Sequence, residues 1–96
     1  MAHFICIAQF ISKPGKEQDL IKALSALLAP TRAEPGCISY DLQQDLQQPR
    51  VLTMVELFKS KEAFEQHTTQ DYLTHFRETA TAFIESSKLT LGTTNE

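Results

Sequence analysis

The sequence has few of the residues from which most cofactor sites are built. It contains no tryptophan, only three glycines and only three histidines in 96 residues. Three glycines form neither a phosphate-binding loop nor a dinucleotide fingerprint, so nothing in the sequence favours a flavin or a nicotinamide. His3, His67 and His75 do not follow a metal-binding spacing such as HExxH. The sequence therefore predicts a protein that uses neither an organic cofactor nor a metal.

The two cysteines do not indicate a disulfide or a reactive nucleophile. Cys6 and Cys37 fall inside a predicted strand or at its start, and they form no CxxC pair. We interpret both as small buried hydrophobic residues. The serines and threonines follow no nucleophile-elbow motif, so covalent catalysis is not expected either.

The net charge and the length of the apolar segments argue against nucleic-acid and membrane partners. The net charge is −3 and the basic residues are scattered, which argues against nucleic acid. No segment approaches the roughly 20 apolar residues of a membrane helix, so we expect a soluble, cytoplasmic protein. The length predicts a single domain over residues 1–92, followed by a flexible tail at 93–96.

The pattern of apolar residues predicts an α+β fold. Alternating and continuous apolar runs indicate strands, and leucines at helical spacing indicate a helix that Pro30 ends or kinks. Ser60 and Asp71 are natural helix caps. The predicted elements are a strand at 3–11, a helix at 16–29, strands at 37–43 and 51–58, a short helix from 61, a longer helix from 72 to about 86, and a strand at 88–91. This order is typical of a ferredoxin-like βαββαβ sandwich, a four-stranded antiparallel sheet with two helices on one face.

The first strand also predicts an oligomer. Residues 3–11 are apolar on both faces, whereas this fold covers only one face of the sheet with helices. A second copy of the same sheet is the simplest cover for the other face. We therefore expect a homodimer.

One strand carries a carboxyl group in apolar surroundings. Period-2 alternation places Glu56 on the same face as Leu52, Met54 and Phe58. His67 follows eleven residues later on the short helix, so the two form a candidate acid/base pair. If their side chains meet in one cavity, we expect each to favour the charged form of the other. The alternative is that Glu56 lies at a strand end and His67 at the surface.

Several strings resemble the antibiotic biosynthesis monooxygenase domain family, small dimeric α/β-barrel proteins that include quinol monooxygenases. They are KPGKE at 13–17, EPGCISYDL at 34–42, ELFKSKEAFEQHTT at 56–69 and YLTHF at 72–76. The resemblance implies a cavity between the sheet and the helices, with the family's strand glutamate at Glu56 and its helix histidine at His67. The aromatic residue that often follows this glutamate two positions later, commonly tryptophan, is Phe58 here. The family's haem-degrading members use an asparagine and a tryptophan; with Gln9 as the nearest amide in the first strand and no tryptophan, haem is not expected.

These features predict a cofactor-independent monooxygenase that oxidises a small aromatic or quinol substrate with O₂. Its catalytic groups would be Glu56, His67 and Tyr72, although Tyr72 could instead simply begin a helix at the surface. Its cavity walls would be Leu52, Met54, Phe58, Phe64, Phe76 and Phe83. The last three of these could instead be plain core between helix and sheet.

Two other functions stay open, since the family resemblance does not decide the reaction. One is an isomerase of a small phosphorylated, sugar-like ligand, which basic residues facing the cavity, such as Arg32 or Arg77, would favour. The other is a non-catalytic dimeric module that binds a small ligand, in which Glu56 is structural.

Overall fold

Four strands form one antiparallel sheet in the structure, a computed structural model that describes residues 2–95. The strands are β1 (Phe4–Ser12), β2 (Cys37–Gln44), β3 (Val51–Phe58) and β4 (Ile84–Thr93), and the helices are α1 (Glu17–Ser25), α2 (Leu28–Arg32), α3 (Lys61–Thr68) and α4 (Asp71–Ala80). The strand order across the sheet is β2-β3-β1-β4. This is the predicted ferredoxin-like arrangement, with the helices on one face.

Strand β3 has the bounds that its apolar run predicts. Its side chains alternate between buried and half-buried, and Leu52, Met54, Glu56 and Phe58 form the buried set. β3 lies between β2 and β1, so Glu56 is paired on both sides, with Tyr40 and with Cys6. Glu56 is thus held in the middle of the sheet, and the alternative of a frayed strand end does not apply.

The first helical region is divided, whereas the sequence pattern predicts one helix. α1 ends at Ser25, and α2 begins at Leu28 and continues past Pro30 to Arg32. Pro30 lies in the first turn of α2, where a missing N–H removes no helical hydrogen bond. The proline therefore neither ends nor kinks the helix that contains it, and Thr31 and Arg32, which lie beyond the predicted helix at 16–29, are helical.

The second helical region confirms one predicted cap and contradicts the other. The Ser60 hydroxyl accepts a hydrogen bond from the Ala63 N–H at 3.1 Å and so caps α3. The N-cap of α4 is Gln70, and Asp71 is the first helical residue. The predicted helix end near residue 86 is also wrong, because α4 stops at Ala80 and a 3₁₀ turn, Thr81–Phe83, leads into β4.

β4 is longer than the predicted strand at 88–91 because it pairs along the whole of β1. The ladder runs from Phe4 opposite Thr93 to Ser12 opposite Ile84. Phe83 and Ile84 continue the helical spacing of the preceding turns, but the backbone hydrogen bonds of this ladder favour the strand from Ile84 onward.

The helices leave one part of their own sheet face uncovered. Leu89 and Leu91 pair with Ala8 and Cys6 and therefore point to the helix side, yet they are 57% and 50% exposed. β4 is an edge strand beyond the reach of the helices, so an opening lies beside it. Among residues 2–95, no helix has the length and apolar character that crossing a membrane requires.

Candidate active site

Glu56 is a buried carboxyl group with an unused oxygen. The residue is 4% exposed, and no described residue hydrogen-bonds its Oε1 atom. Burial raises the pKa of Glu56 from 4.5 to about 8, the neighbouring Cys6 thiol lowers it by a smaller amount, and the charge of Glu34 raises it further. Glu56 is therefore mostly protonated at neutral pH, so its carboxyl group is able to donate a hydrogen bond.

His67 faces Glu56 across a short gap. It lies in the last turn of α3, is 2% exposed, and packs against the rings of Tyr40 and Phe58. Its Nε2 atom is 3.9 Å from Glu56 Oε1, which is too long for a direct hydrogen bond. The two predicted site residues thus meet, but the expectation that each holds the other charged is wrong for Glu56, because desolvation dominates its pKa.

The partner of His67 is Glu34, a residue that the sequence pattern does not predict as part of the site. The Nδ1 atom of His67 is 2.9 Å from Glu34 Oε2. The hydroxyl of Tyr72 donates a hydrogen bond to the same oxygen. The only sequence signal for Glu34 was its place in the EPG string at 34–36, a loop just before β2, where functional residues are common.

Glu56 and His67 lie at one side of a cavity of about 220 Å³ between the sheet and the helices. Its apolar walls are Ala8, Phe10, Leu24, Leu27, Met54, Phe64, Leu73 and Phe76. Glu56 and His67 line it, and the exposed Leu89 and Arg77 border it, so the cavity opens between β4 and α4. A dry apolar cavity of about 150 Å³ can hold a benzene molecule, so this volume suits one substituted ring.

The other predicted wall and catalytic residues lie outside this cavity. Leu52 and Phe58 are fully buried in the core and do not line it. Phe83 and Tyr72 instead border a second surface groove between α1 and α4. Tyr72 can therefore act on the cavity only through Glu34 and His67.

Two further polar groups of the cavity have restricted chemistry. Burial and the nearby Glu56 raise the pKa of the Cys6 thiol to about 12, which makes it a poor nucleophile at neutral pH. Burial also raises the pKa of Tyr40 far above its ordinary value, so its phenol stays protonated. Within residues 2–95, no group of three or more histidine, cysteine or acidic side chains has the arrangement of a metal site.

The two arginines considered above differ in position. Arg32 donates to the Tyr40 carbonyl at 2.9 Å and pairs with Asp41 at 3.1 Å, outside the cavity. Arg77 borders the cavity, where it donates to the Thr68 carbonyl at 2.8 Å, and it forms no ion pair with any described residue.

Comparisons with known proteins find similar proteins along most of the chain. The family model described as antibiotic biosynthesis monooxygenase matches residues 3–79. The Mycobacterium tuberculosis protein named "Putative monooxygenase Rv0793" is 34% identical over 71 residues, which is 74% of this chain and 69% of that protein. The solved structure of Rv0793 superposes with a TM-score of 0.92 over 98% of this chain and 96% of that one, at 26% identity.

Two other solved structures are similar. Protein SO0527 of Shewanella oneidensis has a TM-score of 0.93 and 35% identity, with 96% of this chain and 90% of that chain covered. PA3566 of Pseudomonas aeruginosa has a TM-score of 0.95 and 29% identity, with 100% and 97% covered. The fold is thus shared along essentially the whole chain.

Proposed function

Because the chain belongs to the antibiotic biosynthesis monooxygenase family, we propose that it oxidises a small aromatic or quinol substrate with O₂, without a cofactor, in the cavity between the sheet and the helices. The observation that carries this proposal is the pair formed by Glu56 and His67. A carboxyl oxygen that has no hydrogen-bond partner among residues 2–95 and a ring nitrogen face each other across 3.9 Å in a cavity with apolar walls.

A single hydroxyl oxygen fits between the two groups. Two atoms 3.9 Å apart leave room for an oxygen about 2.8 Å from each, an ordinary hydrogen-bond length. The protonated Glu56 would donate to that oxygen, and the hydroxyl would donate to Nε2 of His67. The aromatic ring that carries the hydroxyl would then fill the apolar part of the cavity.

This placement suits the activation of a hydroquinone. His67 takes the phenolic proton, and the O–H of Glu56 stabilises the resulting oxyanion. The electron-rich anion then reduces O₂. In the overall reaction, a hydroquinone and O₂ give a hydroxyquinone and water: one oxygen atom enters the ring, and the electrons of the hydroquinone reduce the other. No external reductant is required, and the apolar walls keep water from the intermediates.

An oxygen-electrode measurement with hydroquinone as the probe tests this function. We expect the wild type to consume oxygen. His67→Gln should lower kcat by about 100-fold or more, because glutamine keeps a donor for Glu34 but has no basic ring nitrogen. Glutamine also limits the cavity that alanine would leave at this buried site. His75→Gln is the matched control, since His75 is exposed on α4 and outside the cavity; its rate should stay within about two-fold of the wild type.

Full activity of a folded His67→Gln protein would show that His67 is not the base in this reaction. Absence of oxygen uptake by the wild type with a panel of hydroquinones and phenols would contradict the monooxygenase function itself.

One observation favours a second function, the isomerisation of a small phosphorylated ligand. The guanidinium of Arg77 stands at the cavity mouth without an acidic partner in the described chain, and it suits an anionic group. His67 would then remove a proton from one atom of the ligand, and the protonated Glu56 would donate a proton to another, which moves a hydrogen within the ligand. Such turnover consumes no O₂, so the same electrode trace separates the two reactions.

A further inference from the structure

We propose that Glu34, held in place by Tyr72, is a positioning residue that fixes His67 as the tautomer with its proton on Nδ1, so that the Nε2 lone pair faces Glu56 and the cavity. This inference rests on the proposed function for its catalytic meaning, but the tautomer itself is a property of the resting protein.

The geometry around Glu34 Oε2 sets the direction of the hydrogen bonds. An ionised carboxylate oxygen only accepts, and neutral imidazole has one N–H and one lone pair. With Nδ1 of His67 2.9 Å from Oε2, the contact requires the hydrogen on Nδ1. In the neutral ring the lone pair is then on Nε2, on the side of Glu56.

Tyr72 keeps Glu34 in this role. Its hydroxyl donates to the oxygen that His67 also uses, which holds that oxygen against the ring. Burial and the hydrogen bond to Glu34 raise the pKa of Tyr72 well above its ordinary range, so the phenol remains a donor. Glu34 has a 13% exposed side chain, so little water competes for its oxygen.

The two carboxyl groups around His67 therefore have opposite tasks. Glu34 accepts from the ring on the side away from the cavity, and Glu56 presents a hydrogen to the cavity. In the reverse tautomer, Nε2–H would point at Glu56, and no lone pair would be available for a bound hydroxyl. Loss of the Glu34 acceptor should thus reduce the rate of proton removal more than it reduces substrate binding.

Nitrogen NMR of the ring tests this inference without any substrate. In protein labelled with ¹⁵N at histidine, two-bond ¹H–¹⁵N correlation spectra at neutral pH distinguish protonated from unprotonated ring nitrogens. The His67→Gln variant identifies the His67 signals by their loss. In the wild type we expect Nδ1 of His67 at the protonated position and Nε2 at the unprotonated position.

Substitutions of Glu34 test the cause. Glu34→Leu has similar size but no acceptor, so the Nε2 signal should move toward the protonated position, and kcat with hydroquinone should fall about 100-fold with a much smaller change in KM. Glu34→Gln keeps a carbonyl oxygen that can accept from Nδ1, so the wild-type tautomer should be retained. Glu62→Leu, the same change on the exposed surface of α3, is the control and should leave both readouts unchanged.

The possible outcomes separate this inference from the proposed reaction. A wild-type spectrum with protonated Nε2, or a folded Glu34→Leu protein with the wild-type tautomer, overturns the role of Glu34. If Glu34→Leu does not fold, Glu34→Ala supplies the same test without added bulk. If the wild type shows the expected tautomer but consumes no oxygen, the role of Glu34 is supported and the monooxygenase proposal is contradicted.

Discussion

Glu56 couples the chemistry of the site to the stability of the fold. In the unfolded chain its carboxyl group ionises near pH 4.5, whereas burial in the sheet raises its pKa to about 8. The folded state therefore keeps this proton after the unfolded state has lost it. The stabilisation is fully present below about pH 4.5 and is lost as the pH rises through about 8.

Glu56→Gln should remove this pH dependence, because glutamine does not ionise. Relative to wild type, the variant's free energy of unfolding should rise between about pH 5 and pH 9, by at most about 5 kcal/mol, given roughly 1.4 kcal/mol per pKa unit. Urea unfolding over this range measures the difference. Glu62→Gln, on an exposed position of α3, should show no such rise, and a flat difference for Glu56→Gln would contradict the raised pKa.

The sequence reveals some of these residues and hides others for a physical reason. Glu56 follows from period-2 alternation within one strand, which is a local property. Glu34 contacts His67 across 33 positions of the chain, and no local pattern reports such a contact. The sequence predicts Tyr72 as a catalytic group, but its hydroxyl points to Glu34, and that direction depends on how α4 packs beside the loop before β2.

Among the elements, β3 was predictable to the residue because its apolar run is closed by a polar loop on each side. The end of α4 was not, because Phe83 and Ile84 continue its helical spacing whereas residues 84–93 pair with β1, and only the assembled sheet decides between the two. The close approach of α3 to the loop at 34–36 was also not predictable from the sequence. It depends on Gly36, where a Cβ atom would lie 2.4 Å from Cβ of Ala63.

Gly36→Ala should therefore disturb the site indirectly, by displacing helix α3. The added methyl group cannot fit against Ala63, so α3 must move away from the loop, and the contact between Glu34 and His67 should lengthen. We expect a loss of about 1–3 kcal/mol in the free energy of unfolding, as for other overpacked sites. Oxygen uptake should fall, and the Nε2 signal of His67 should move as in Glu34→Leu.

The double variant Gly36→Ala/Ala63→Gly is the matched control. Removal of the Ala63 methyl group leaves its Cα as the nearest atom, at 3.5 Å, an ordinary contact. The double variant should regain the tautomer and most of the rate, although the new helical glycine costs about 1 kcal/mol. A single variant with wild-type stability and activity would show that α3 does not depend on this close approach.

At the scale of the whole molecule, no helix among residues 2–95 covers the second face of the sheet. Two cross-strand pairs at its centre, Ile5 with Leu57 and Ile7 with Val55, are apolar, and Ile7 is 37% exposed. Water contact with such a block is unfavourable, and a second copy offers an identical apolar face. We propose that two chains pack these faces together around a two-fold axis, as the first strand's composition predicts.

Ile7→Lys should disrupt this dimer, because the two-fold axis brings a charge from each copy to the apolar centre of the interface, where neither has a partner. Light scattering should give about twice the 10.8 kDa chain mass for the wild type at micromolar concentration, and about one chain mass for the variant. Leu46→Lys, at a fully exposed position of the loop between β2 and β3, is the control and should remain dimeric. A wild-type protein that is monomeric at micromolar concentration would contradict the dimer, and an Ile7→Lys protein that stays dimeric would place the interface elsewhere.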